Sequence, residues 1–252
     1  MIRRGVGVTN IDDRGETVIA TFSDGTTDNF DLVVGADGAA SEVRKYIDDK
    51  VCPEYSGNMS LRWVKKDAPK GPAGFYVSDE AVPVVIHRLH GDMVYIATGI
   101  DMENRRVDDN EARDLFRKVL DGFEAPYVRE LLSLVDDEDA VIARPYLLHH
   151  QPAPWFRGRI VVVGDAAHTI AANMGAGGVI GFEDGVVLGQ ELARKESLEA
   201  ALTAFQDRRV ERTGAVVRAS REMLEAQVQR QASALEINQI RTPAIAALME
   251  PF

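Results

Sequence analysis

Two stretches of the chain bring together residue types that can grip a polyhydroxylated or anionic ligand. In the richer one, Gly164-Asp165-Ala166-Ala167-His168 follows the apolar run Arg159-Ile160-Val161-Val162-Val163. A carboxylate that emerges where a strand stops can accept two hydroxyl hydrogen bonds from a sugar or ribityl chain. The small residues Gly164, Ala166 and Ala167 let such a ligand approach the backbone. Ten residues after Asp165, Gly175-Ala176-Gly177-Gly178 opens a helical stretch. Free N–H groups and the positive end of a helix dipole favour negative charge in front of them, the dipole by ~0.3–2 kcal/mol. The second stretch, Val33-Val34-Gly35-Ala36-Asp37-Gly38, repeats the strand-then-Asp arrangement. In open α/β sheets, ligands bind beyond the carboxyl ends of strands, where both stretches would lie.

The flanking patterns predict the elements that position these residues. Residues 1–36 read as β structure: Glu16 to Phe22 alternates in period two, and Ser23-Asp24-Gly25-Thr26 is a turn with Gly25 suited to positive φ. Phe30 to Gly35 reads as a strand buried on both faces, and Ser41 can cap a helical turn through Ile47. Between Asn58 and Ile100 the pattern predicts an antiparallel sheet, with Gly91-Asp92 as a two-residue hairpin signal between Val82–Leu89 and Met93–Ile100. Asp108 to Leu120 has the spacing of an amphipathic helix with Leu115, Phe116, Val119 and Leu120 on one side. A shorter helix is expected over Tyr127 to Val135. A helix runs from the glycine loop to about Leu192, and helical pattern continues from Ser197 to about Glu236.

Taken together, Gly158 to His168, Gly175 to Gly178 and Glu183-Asp184-Gly185 resemble the second FAD motif of single-component aromatic monooxygenases. These form the p-hydroxybenzoate hydroxylase fold group, and the glycine loop is most similar to salicylate-hydroxylase-like members. Asp31 to Arg44, which contains Asp37-Gly38, resembles the family's Asp-Gly motif, and Trp155-Phe156-Arg157 is a typical lead-in. The resemblance implies an α/β (α+β) fold: a partial FAD-binding Rossmann-like domain, an inserted antiparallel substrate-domain sheet and C-terminal helices. It divides the chain into 1–50, 51–145, 146–195 and 196–252. It implies that Asp165, next to Gly164, binds the ribityl chain of FAD, and that the backbone of Gly175, Ala176, Gly177 and Gly178 lies near the pyrimidine edge. Asp37 and Arg44 are implied to support the cofactor pyrophosphate and the nicotinamide nucleotide. The sheet is implied to cover a small aromatic substrate, hydroxylated with NAD(P)H and O2, with no nucleophile or metal required.

The sequence also departs from that family. The family opens on a Gly-x-Gly-x-x-Gly turn for the pyrophosphate, whereas Gly5-Val6-Gly7 lacks the third glycine. The expectation is an N-terminally incomplete chain. The alternatives are a non-catalytic half of a split flavoprotein, completed by an N-terminal half on another polypeptide, and a related flavoprotein reductase or halogenase. Ala172 and Gly185 replace the family's usual Pro and Ala.

Other candidates carry less. His149-His150 precede Gln151-Pro152 in an expected loop and lack further metal ligands at a usable spacing. His168 reads as a structural hydrogen bonder beside the cofactor, Cys52 as inert, and Asp136-Asp137-Glu138-Asp139 as a solvated turn. Arg208, Arg209 and Arg212 read as a solvated helix face. Of 252 residues, 45% are apolar, and the net charge of -11 argues against nucleic acid or an anionic membrane as partner. The single cysteine and the lack of an apolar N-terminal stretch point to a cytoplasmic location.

Overall fold

The structure, a computed structural model, describes residues 1–78, 82–194, 197–228 and 233–252. Alternating apolar residues fold the start of the chain into an antiparallel meander of β1 (Val8–Asp13), β2 (Val18–Phe22) and β3 (Thr27–Phe30). Gly25 turns β2 into β3 at φ 82°, and Asp24 Oδ1 accepts from the Thr26 amide at 3.0 Å. The expected doubly buried strand is instead short. β4 (Val33–Gly35) begins after β3 has ended, and Val34 is exposed. Among the described residues it is an edge strand, with a neighbouring strand on one side only. Gly35 is required there by packing, because an added Cβ would lie 2.7 Å from the Val43 side chain.

The chain divides into two compact units, Met1–Glu54 with Leu147–Phe252, and Tyr55–Tyr146. The inserted unit forms its sheet from β5 (Glu54–Lys65), β6 (Gly74–Tyr76), β7 (Val84–Arg88), β8 (Val94–Asp101) and β9 (Ile142–His150), in the order β9-β5-β8-β7-β6. Leu61, Trp63, Val84, Ile86, Val94 and Ile96 share one apolar face, as period-two alternation dictates. They pack against α1 (Asp109–Asp121) and α2 (Pro126–Leu132), which contribute Phe116, Leu120, Val128 and Leu131. Asp108 caps α1, its side chain accepting from the Glu111 amide at 2.9 Å. The β7–β8 hairpin forms at Gly91-Asp92, both at positive φ (71° and 54°). Its loop is one residue longer than the signal suggests, because Leu89 donates to Met93 O at 2.8 Å. In the acidic turn, Asp136 and Asp139 hold Lys65 at 2.7 and 3.1 Å.

Back in the first unit, β10 (Phe156–Arg157), β11 (Ile160–Val162) and β4 form a mixed sheet, with β11 fully buried and parallel to β4 (Val161 opposite Val34). His149 and His150 do not lie in a loop. They end β9 and pair with β12 (His168–Thr169), a non-local register that local pattern cannot supply. Helices α3 (Gly177–Arg194), α4 (Leu198–Val228) and α5 (Ala234–Met249) complete the unit. The expected continuous pattern to Glu236 is interrupted: Ser233 starts α5 with a capping box to Glu236. Residues 229–232 of that pattern, and 79–81 of the expected sheet, lie outside the described residues. No described helix is long and apolar enough to cross a membrane.

The β10–β11 turn depends on Gly158, whose φ of +56° is left-handed and whose added Cβ would sit 1.9 Å from Asp13 Oδ2. That same oxygen accepts from the Arg159 amide at 2.7 Å. Gly158→Ala is expected to destabilise the protein by ~1–3 kcal/mol. Urea unfolding midpoints of the two proteins check this, and equal midpoints would contradict it.

Candidate functional site

β11 ends where Val163 donates to Gly35 O at 3.0 Å. Gly164 then takes φ +59°, and a 3-10 turn, Gly164–Ala166, projects Asp165 outward while Ala166 and Ala167 are buried. Asp165 anchors the turn through its backbone, accepting from Thr169 Oγ1 at 2.7 Å, but its carboxylate accepts no hydrogen bond from the described residues. It reaches solvent, yet surrounding protein desolvates it and raises its pKa above the ordinary carboxylate value, against a smaller downward pull from His168.

The glycine loop is built as a second turn. Ala172–Met174 form one turn of 3-10 helix, closed by Gly175 at φ 66°, whose amide donates to Ala172 O at 3.0 Å. Gly175 therefore spends its N–H within the loop. The amides of Ala176, Gly177, Gly178 and Val179, at the start of α3, have no acceptor among the described residues. Nothing lies within 4 Å of a Cβ added at Gly178. The loop is pinned from α4: Ser220 Oγ accepts from the Ala171 amide at 3.1 Å and donates to Asn173 Oδ1 at 3.0 Å, and Met174 is buried against Val216 and Met223. Arg241 Nη2 lies 3.9 Å from a Cβ added at Gly175, so α5 brings a cation to this loop that local sequence gives no sign of.

Gly164 and Gly181 bring the Asp165 turn against the second turn of α3, an added Cβ at Gly181 standing 3.4 Å from Gly164 Cα. That approach lets Asp184 reach under the turn. Asp184 Oδ2 accepts from the Gly164 amide at 2.7 Å and pairs with His168 Nε2 at 2.6 Å, and Oδ1 accepts from Arg209 Nε at 2.7 Å. Burial raises its pKa, but His168, the Gly164 amide and Arg209 outweigh that and hold it below the ordinary value. Arg209 also donates to Glu183 at 2.8 Å and Ile180 O at 3.1 Å. Arg212 grips Glu183 at 2.9 and 3.0 Å and donates to the carbonyls of Ala247 and Leu248. The solvated face expected for these arginines is thus wrong for two of them. Arg209 is fully buried and Arg212 largely so, because their carboxylate partners on α3 are distant in sequence. His168 is a structural hydrogen bonder, fully buried.

Asp37 and Arg44 brace the same region. Asp37 accepts from Ser41 Oγ at 2.5 Å and the amides of Glu42 and Val43 at 2.8 and 3.2 Å, while Ser41 Oγ accepts from the Arg44 amide at 2.9 Å. Arg44 is buried and donates to Ala166 O at 2.9 Å and Ala39 O at 2.8 Å. It therefore ties the Asp37 segment to the Asp165 turn. His149 lies in the same interior, its Nε2 without a hydrogen-bond partner among the described residues, and burial, then the Arg44 charge, lower its pKa to about 4.

A carboxylate with no donor among the described residues stands at the end of a buried parallel strand, on a turn packed against a helix whose first amides have no acceptor among them, an arrangement that suits a nucleotide cofactor. Residues 1–220 match the FAD binding domain family FAD_binding_3, and the chain belongs to that family. It is 30% identical over 231 residues to 6-hydroxynicotinate 3-monooxygenase of Pseudomonas fluorescens, a match covering 86% of this chain and 58% of that protein. It is 31% identical over 223 residues to the FAD-dependent urate hydroxylase of Mycolicibacterium vanbaalenii, covering 84% and 54%. The chain thus spans just over half the length of these curated relatives. The solved structure of Klebsiella pneumoniae HpxO complexed with FAD and uric acid shares its fold, with a TM-score of 0.78 at 23% identity over 96% of this chain and 67% of that one. FAD is the family's cofactor, and the residues found here fit it: an unpartnered carboxylate suits polyol hydroxyls, and free amides suit an anionic ring edge.

His149 gives a pH test. Its folded pKa of about 4 lies below the ordinary imidazole value of 6.5, so between those values the unfolded chain binds more protons and stability falls as pH falls. The full difference is worth at most ~3 kcal/mol. Denaturation midpoints taken from pH 7 to pH 4.5 are expected to drop, and to drop less steeply for His149→Gln. Parallel curves would show that another group carries the effect.

Proposed function

We propose that the chain supplies the isoalloxazine side of the FAD site in a cytoplasmic flavin-dependent monooxygenase, hydroxylating a small aromatic or heteroaromatic compound with NAD(P)H and O2. The observation that carries this reading is the Asp165 carboxylate, partly desolvated and with no donor among the described residues, on a turn whose Gly164 packs against Gly181 of α3, the helix whose first amides are unpaired. Family membership and relatives named as ring hydroxylases support it. When bound, FAD supplies hydride acceptance from NAD(P)H and O2 activation. The chain's own contribution is placement. Asp165 accepts hydrogen bonds from the ribityl hydroxyls, the amides of 176–179 face the anionic edge of the ring, and Gly164, Gly175, Gly177 and Gly178 keep side chains out of its way. Asp37 and Arg44 act beneath the cofactor's phosphate side, by holding the backbone that meets it.

A second reading, in which a further strand-and-helix segment packs against this unit and completes the flavin site, has specific observations behind it. Among the described residues β4 is an edge strand, and α3 exposes Val179, Phe182 and Val186, with Phe182 80% exposed. These positions, three and four residues apart, make one apolar stripe.

FAD titration with visible absorbance tests both readings. This chain by itself is expected to bind FAD more weakly than ~1 µM, and to turn yellow and oxidise NAD(P)H once the segment is supplied, upstream in the same chain or on another polypeptide. Submicromolar binding by this chain by itself would remove the need for that segment. Asp165→Ala is expected to weaken FAD retention more than Asp37→Ala does; equal retention in both would unseat Asp165 from its role.

A further inference from the structure

Asp184 is sealed inside the first unit, with no exposed surface, and each of its three contacts ties down a different piece of chain. The Gly164 amide, 2.7 Å from Oδ2, begins the turn that carries Asp165. The His168 ring, 2.6 Å from the same oxygen, ends it. Arg209, 2.7 Å from Oδ1, belongs to α4 and sets a matching charge beside the buried carboxylate. The one side chain that projects from this clamped turn without a protein donor is Asp165. Asp184 does not reach the open side of the site itself. Gly164 and Gly181 pack backbone to backbone, a Cβ added at either standing 3.8 or 3.4 Å from the other's Cα, so α3 and the turn are in direct contact and displacement of one is passed to the other.

We propose that Asp184, held by Arg209, is the positioning residue of the flavin loop: by fixing both ends of the Gly164–His168 turn it sets the direction in which the Asp165 carboxylate meets the ribityl hydroxyls. This rests on the flavin-site reading above. A role as mere counter-ion to Arg209 would give a different result, because loss of a counter-ion damages the fold without acting through Asp165.

A double-mutant cycle on FAD affinity separates the two, measured on the flavoprotein together with its completing segment if FAD binding needs one. Asp165→Ala and Asp184→Asn are each expected to weaken FAD binding about 10- to 100-fold, and the double variant to bind no more weakly than the worse single one. Losses that multiply overturn the proposal, as does an Asp184→Asn protein that melts earlier but binds FAD like the parent. Should Asp184→Asn not fold, His168→Asn takes its place, since it removes one contact at the end of the turn and keeps the Asp184–Arg209 pair. Its smaller loss, about 3- to 10-fold, is expected to vanish in the Asp165→Ala background; a loss that persists there counts against the proposal. If Asp165→Ala binds FAD like the parent, the flavin-site reading itself fails and this inference goes with it. If Asp165→Ala weakens binding and Asp184→Asn does not, only the inference fails.

Discussion

Burying a guanidinium is tolerable only when its charge is matched and its donors are used, and the arrangement around Arg209 meets both conditions. Two carboxylates from adjacent positions on α3, Glu183 and Asp184, receive it, and the carbonyl of Ile180 takes a further donor. That geometry fixes the register of α4 against α3. It also leaves the second oxygen of Asp184 facing the end of β11, where it takes the Gly164 amide and the His168 ring. The turn, the helix behind it and the long helix beyond are thus coupled through one buried charge. Hydrogen bonds to charged groups are individually stronger than neutral ones, and low polarity strengthens them further.

Local pattern made some parts of this legible and left others hidden. The buried run before Gly164, the outward Asp165 and the glycine loop follow from residue type at short spacing, so they could be read directly. The helix at Asp109–Asp121 and its packed face follow from the same short-range logic. Arg209 was hidden because its partners lie 25 and 26 residues away, and helical periodicity in a stretch of mixed charge does not say which face meets another helix. His149 and His150 look like loop residues before Gln151-Pro152, and only their pairing with His168 and Thr169 makes them strand. Val34 is exposed for the same reason: whether an apolar run is covered on both sides depends on neighbours it does not contain.

Arg44 shows a related limit. Its place in the Asp37 motif implies support for the cofactor pyrophosphate and the nicotinamide nucleotide but not by which contact, and its guanidinium faces inward to two backbone carbonyls, one of them in the Asp165 turn. Motif membership is compatible with either use of the side chain. What decides is burial, and burial belongs to the folded chain. Asp37 likewise uses its carboxylate on the first amides of the helical turn that follows it. Both motifs are therefore joined from within before any ligand arrives.

Buried ion pairs can often be exchanged for apolar residues of similar volume with no loss of stability, and sometimes with a gain. Applied to Asp184 and Arg209, that exchange could yield a hardier protein whose Gly164 amide had lost its acceptor. Thermal tolerance and the geometry of that turn would then be separate traits, so a library screened for heat resistance would select against the very pair that holds the Gly164–His168 turn in place.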